Sequence, residues 1–121
     1  ACVNNSKKVV IWGTGNPKRE FFYVDDLAEA CILLLKKADC PDVVNVGIGL
    51  ETSIAQLARK IKKISGFKGE LIFDQKYPDG NPRRLLDAGK FSVTGWKAQT
   101  SLDEGLQLTW NWYIKNIARK K

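Results

Sequence analysis

The residues best suited to holding a ligand fall in two short stretches. The first, Val9 to Asp26, reads VVIWGTGNPKREFFYVDD. Trp12 closes an apolar β-branched run, Gly13, Thr14, Gly15, Asn16 and Pro17 form a loop, and the basic pair Lys18 and Arg19 follows. Backbone can come close to a ligand at the glycines, the indole can stack on it, and the guanidinium can hold an anion. The second stretch, Asp74 to Arg84, reads DQKYPDGNPRR and ends in Arg83 and Arg84. Two loops that each present an arginine could clamp a diphosphate, with each charge-assisted hydrogen bond contributing ~1.5–3 kcal/mol. The competing reading pairs these arginines with Glu20, Asp79 or Asp87, and spacing alone leaves both open.

Catalytic groups are harder to nominate. The chain has no histidine, which removes the commonest general base and the commonest metal ligand. Gly13-Thr14-Gly15 is followed by Asn-Pro and extended residues rather than by a helix, so it is not a dinucleotide fingerprint. No Tyr and Lys lie four apart on a helix beside a Ser. Asp25 and Asp26 are neighbours, point apart, and cannot act as an acid/base couple across one bond. Cys2, Cys31 and Cys40 are odd in number and lack a CxxC spacing, which predicts free thiols in a reducing, cytoplasmic setting rather than a metal site or disulfides. The sequence therefore predicts binding by this chain, with no catalytic residue, cofactor site or metal site of its own.

Twenty Lys and Arg against thirteen Asp and Glu give a formal net charge of +7, which suits anionic partners. The cations are scattered in pairs, so the positive field is diffuse. A basic, non-enzymatic module for RNA or another polyanion stays open as an alternative class, although nucleic acid is not the expected partner. No apolar run approaches the ~20 residues of a membrane span, and no membrane association is expected.

The elements that must position these residues can be read from periodicity and caps. At 121 residues the chain is one domain or part of one, without internal repeats. Val9, Val10 and Ile11 predict a short strand. Asp26 stands where a helix N-cap should, with Glu29 three residues on, and Leu27 to Leu35 are apolar almost all round. Such a helix calls for burial on more than one side. Lys36 and Lys37 suit its C-terminus. After the break at Pro41 and Asp42, Val43 to Val46 predict a buried strand closed by Gly47-Ile48-Gly49. Ser53 and Gln56 make a capping box for a second helix with Ile54, Leu57, Ala58, Ile61 and Ile64 on its apolar side. Its other side, Arg59, Lys60, Lys62 and Lys63, reads as a solvated face, and Gly66 is a natural stop. Glu70 to Phe73 predict a third strand, and Asp74 to Arg84 an irregular, turn-rich stretch. A weak helical turn at Lys90 to Val93 precedes Gly95-Trp96. Ser101 and Glu104 form a third capping box before a last helix whose buried side is Leu102, Leu106, Thr109, Trp110, Tyr113 and Ile117. Arg119, Lys120 and Lys121 suit its C-terminus.

The motifs GTGNPKREFFYVDDLAEA, VVNVGIGLETSIAQLA, PDGNPRRLLD, and TGW with SLDEGL occur here in that order. The set resembles the C-terminal, substrate-binding portion of the extended short-chain dehydrogenase/reductase family that works on nucleotide-sugars, over nearly all of the chain after Lys8. RxFxxVDDxAxA and NVGxG specify that superfamily, which also holds other nucleotide-sugar epimerases and dehydratases. WGxGxPxREF and PDGxPRxLLD point to its GDP-L-fucose synthase branch. The resemblance implies an α/β fold of mixed α+β content, a single substrate-binding unit over residues 1–121. One strand (VVNV) and one helix (after Val24-Asp25-Asp26) would normally complete the Rossmann domain. It implies substrate contacts by Trp12, Arg19 and Asp79, with Arg84 at a position the family often fills with Lys. Arg83 would contact the ligand or brace the loop, and Asp79 could alternatively form an Asx-turn in its P-D-G context. The implied parent converts GDP-4-keto-6-deoxy-D-mannose to GDP-L-fucose with NADP(H). The N-terminal Rossmann domain, the catalytic Ser, Tyr and Lys, and the epimerisation Cys and His are absent here, and Cys31 and Cys40 match no such motif. The chain, which does not start with Met, thus reads as an excised half, with apolar surface open to the missing domain or to a second copy in a homodimer.

Overall fold

A computed structural model describes residues 6–37 and 43–118. The N-terminal lead, Cys2, Cys40, the Pro41-Asp42 break and the basic end at Arg119–Lys121 lie outside the described residues.

The first strand, β1 (Lys8–Trp12), matches the apolar run, and the Gly/Pro loop carries the chain to a short β2 (Lys18–Glu20). Helix α1 (Val24–Leu35) starts earlier than the sequence suggested. Tyr23 is its N-cap, and Asp26 lies inside the first turn. Asp26 is not the cap because its carboxylate is drawn elsewhere. It is 4% exposed and accepts hydrogen bonds from the backbone N–H groups of Gln99 (3.2 Å) and Thr100 (3.1 Å). One carboxylate thereby ties α1 to the segment that leads into the last helix.

Residues 43–48 do not form the expected strand; they run irregularly, with Val43 77% exposed. A strand exists as one side of a ladder, and among the described residues no strand lies alongside this segment. Glu20 holds its end instead: Oε1 accepts from the N–H groups of Ile48 (2.5 Å) and Gly49 (2.6 Å).

Strand β3 (Glu51–Ser53) then leads into α2 (Ile54–Ile64), whose capping box is complete. Gln56 N donates to Ser53 Oγ (3.1 Å) and Ser53 N to Gln56 Oε1 (2.9 Å). Gly66, at φ +67°, ends the helix as expected. Strand β4 (Glu70–Asp74) pairs with β1 in parallel, so the intervening chain crosses over between them. Strand β5 (Arg83–Arg84) completes a second sheet in the order β3-β2-β5, antiparallel at β2–β3 and parallel at β2–β5. Helix α3 (Gly89–Ser92) is the weak turn before Trp96, and α4 (Leu102–Asn116) is the last helix.

Ser101 Oγ accepts from Glu104 N at 3.2 Å, so the N-terminal half of the third box forms. Thr109 and Ile117, expected on the buried side of α4, are exposed, while Gly105 is buried beneath Tyr23. A helix that rests on another element through a glycine needs less of its side-chain face covered. The fully apolar core among the described residues is small: Ala30, Ala55, Phe67 and Phe91. Helix α1 is not enclosed on several sides as its composition demands; Val24 is 64% and Leu35 86% exposed.

Candidate functional site

Two segments far apart in sequence, 12–19 and 74–84, lie side by side and meet contact by contact. The β1–β4 ladder sets the alignment: Trp12 is in register with Asp74, and Gly13 N donates to Asp74 O at 2.9 Å. Beyond the ladder, Trp12 stacks on Tyr77 with ring centroids 4.5 Å apart. Asp79 then accepts from Thr14 twice, from the backbone N–H (2.8 Å) and from Oγ1 (2.5 Å). Arg19 Nη1 donates to Asn81 O (2.8 Å) and to its own neighbour's carbonyl, Lys18 O (2.7 Å). Finally β5 pairs with β2, Lys18 with Arg83 and Arg19 with Arg84.

The loop between Trp12 and Lys18 needs glycine for steric reasons. Gly15 has φ +78°, and a Cβ there would press on the Phe73 ring. The loop then runs straight into β2 rather than onto a helix N-terminus. An extended segment rather than a helix after this loop is what its sequence predicted.

The strand register separates the two C-terminal arginines. Residues paired in register point to the same face of a sheet, and neighbours along a strand to opposite faces. Arg19, Arg84 and Thr52 therefore share one face, whereas Lys18, Arg83, Glu20 and Glu51 share the other. On that second face Arg83 Nε donates to Glu51 Oε1 at 2.7 Å, with the Glu51 side chain 14% exposed. Arg83 is thus engaged as a brace. On the first face no carboxylate partner holds Arg19 or Arg84 among the described residues, and the exposed Arg84 guanidinium makes no hydrogen bond there. None of the pairings proposed for the arginines, with Glu20, Asp79 or Asp87, forms; the partner is Glu51, which the sequence reading did not single out.

The hydrogen bond from Arg83, reinforced by its charge and that of Lys18, holds the Glu51 carboxyl below its ordinary value of 4.5, against a smaller opposing effect of burial. The same bond raises Arg83. Because the folded-state value of Glu51 is depressed, the pair stabilises the fold above the ordinary carboxylate range. That contribution fades as pH falls through the lowered value. We expect the Glu51→Gln variant to lose stability relative to the unmodified chain at neutral pH, with the gap closing in acid below about pH 4. Urea unfolding of both proteins across pH 3–7 checks this; a gap independent of pH would remove the ion pair as its cause.

Where the two segments run side by side, Trp12 meets Tyr77, Thr14 meets Asp79, Arg19 meets Asn81, and Arg19 lies in register with Arg84, while Arg83 faces the other side of the β3-β2-β5 sheet. Sequence reasoning missed Thr14 and Tyr77. A hydroxyl inside a glycine loop and an aromatic ring beside a proline were the available signals, and neither identifies a partner without the register.

Comparison with known proteins agrees with this architecture. Residues 1–47 match the NAD dependent epimerase/dehydratase family. GDP-L-fucose synthase 1 of Arabidopsis thaliana is 46% identical over 120 residues, 99% of this chain and 37% of the relative. Among solved structures, the NADP-bound GDP-mannoheptose C4 reductase MlghC of Campylobacter jejuni is 38% identical. It aligns with a TM-score of 0.74 over 89% of this chain and 35% of that one. A GDP-L-fucose synthetase of Naegleria fowleri aligns with a TM-score of 0.84 at 25% identity, over 95% of this chain and 36% of that one. This chain spans about a third of the length of the relatives it matches. The resemblance to GDP-L-fucose synthases and the α/β fold of the extended short-chain dehydrogenase/reductase type are both borne out.

Proposed function

We propose that this chain is the GDP-sugar recognition region of an NADPH-dependent epimerase/reductase that makes GDP-L-fucose from GDP-4-keto-6-deoxy-D-mannose. The observation that carries the reading is the pair of guanidiniums on one face of the β3-β2-β5 sheet. Arg19 and Arg84 stand one strand spacing apart, about 4.8 Å, with no carboxylate between them among the described residues. Two such cations repel one another unless an anion joins them, and a diphosphate has the charge and width to do so. Among the described residues only Nη1 of Arg19 is committed to carbonyls, which leaves donors for it. Trp12, 69% exposed at the end of β1, offers a stacking surface to the base or sugar. Asp79 sets the loop between them through Thr14 and retains lone pairs for a ligand hydroxyl.

In this reading the hydride donor and the acid/base groups belong to an N-terminal Rossmann domain outside these residues. NADP(H) would supply the hydride for the 4-reduction, and this chain orients the sugar toward it. The exposed apolar side of α1 is the surface that such a domain would cover.

Calorimetry on the protein carrying this chain, with GDP-mannose, UDP-glucose and a short RNA, tests the reading. We expect GDP-mannose to bind most tightly. Tighter binding of UDP-glucose would move the protein to another nucleotide-sugar epimerase or dehydratase. RNA binding with a steep salt dependence and no nucleotide-sugar binding would sink the enzyme reading in favour of a polyanion-binding module.

A further inference from the structure

Trp12 can meet a ligand with only one of its two faces. On the other face Tyr77 lies stacked, the ring planes 18° from parallel. Trp12 is 69% and Tyr77 45% exposed, so burial does not account for the pairing. Backbone geometry places Tyr77 there. At the end of the β1–β4 ladder Asp74 turns the chain, accepting from Lys76 N at Oδ1 (3.1 Å) and from Tyr77 N at its carbonyl (3.4 Å). Two residues further on, Asp79 is fastened to Thr14. Tyr77 is therefore held on both flanks, and the ring it presents is in place before a ligand arrives.

We propose that Tyr77 is a positioning residue for the ligand: by covering one face of Trp12 it fixes the indole plane and leaves the opposite face as the platform for the planar or apolar face of a nucleotide-sugar. This inference rests on the function proposed above. An exposed indole without a backing ring samples several rotamers, and binding must then offset the loss of that freedom. A ring already stacked has lost it in the free protein, which is preorganisation. The ring of Tyr77 does this rather than its hydroxyl, which has no hydrogen-bond partner among the described residues.

The experiment is a calorimetric binding series with GDP-mannose on the protein carrying this chain. Tyr77→Ala is expected to weaken binding ~5- to 10-fold, the scale of one aromatic pair. Tyr77→Phe should stay within about twofold, since the stack survives. In a Trp12→Ala background, Tyr77→Ala should add nothing further, because it acts through the indole. Unchanged affinity of folded Tyr77→Ala, with only its unfolding midpoint lowered, overturns the inference while the proposed function stands. Fully additive losses in the double variant also overturn it. If the unmodified protein binds no nucleotide-sugar, the proposed function fails first and the inference falls with it.

Discussion

Arg19→Ala is expected to weaken GDP-sugar binding by roughly 10- to 100-fold while the protein stays folded, the loss that follows from removing one or two charge-assisted hydrogen bonds. The residue lies in register with Arg84 on the adjacent strand, and its side chain's intramolecular bonds go to two carbonyls, Lys18 O and Asn81 O. Both acceptors are solvent-accessible, so water replaces the lost donor at little cost in stability. The ligand loses more, because Arg84 alone would then face the diphosphate. Arg19→Lys separates charge from geometry. A lysine keeps the positive field but not the planar fork, so affinity should recover only in part. Titration of the variants with GDP-mannose, beside a thermal unfolding scan, distinguishes the outcomes. Unchanged affinity in folded Arg19→Ala would take Arg19 out of the site.

Asp26→Ala should produce the largest loss of stability of any single change proposed, about 2–3 kcal/mol, because two partly buried N–H donors lose a charged acceptor. Against the 5–15 kcal/mol that holds a typical domain together, that is a substantial share. The carboxylate connects the first turn of α1 to Gln99 and Thr100, immediately before the Ser101 cap of α4. Its negative charge also lies near the N-terminus of α1, where the helix dipole favours it. Asp26→Asn keeps one acceptor oxygen and gives up the charge, so it should fall between the two. Urea denaturation midpoints measure the effect. A loss below about 0.5 kcal/mol, the range of an ordinary surface change, would mean that these bonds are replaced by water.

Neither prediction could be made with these roles from the linear chain. Arg19 was legible as a candidate anion holder, beside the alternative of an ion pair with a nearby carboxylate. Its separation in role from Arg83 was not, because it depends on which face of a strand each residue occupies. Asp26 was legible as a helix-start residue, and that is where it lies, but local capping rules assign its carboxylate to its own helix. A tertiary partner 73 residues away takes it instead. The strand expected at Val43–Val46 fails for a related reason. Its apolar, β-branched composition suits a strand, but without a neighbouring strand to pair with, composition alone does not make one.

What the sequence by itself determined is whatever is decided within a few residues. The capping box of α2, its stop at Gly66, the irregular run after β4 and the extended segment after the Gly13–Gly15 loop all belong here. Each follows from local dihedral preferences or side-chain-to-backbone bonds spanning three residues. Tertiary structure alone decided that Tyr77 backs Trp12, that Asp79 fastens Thr14, and that Arg84 rather than Arg83 stands beside Arg19. These contacts join residues some 65 positions apart. Strand pairing aligns the two segments, and a one-residue slip of β5 would turn Arg84 to the opposite face of its sheet.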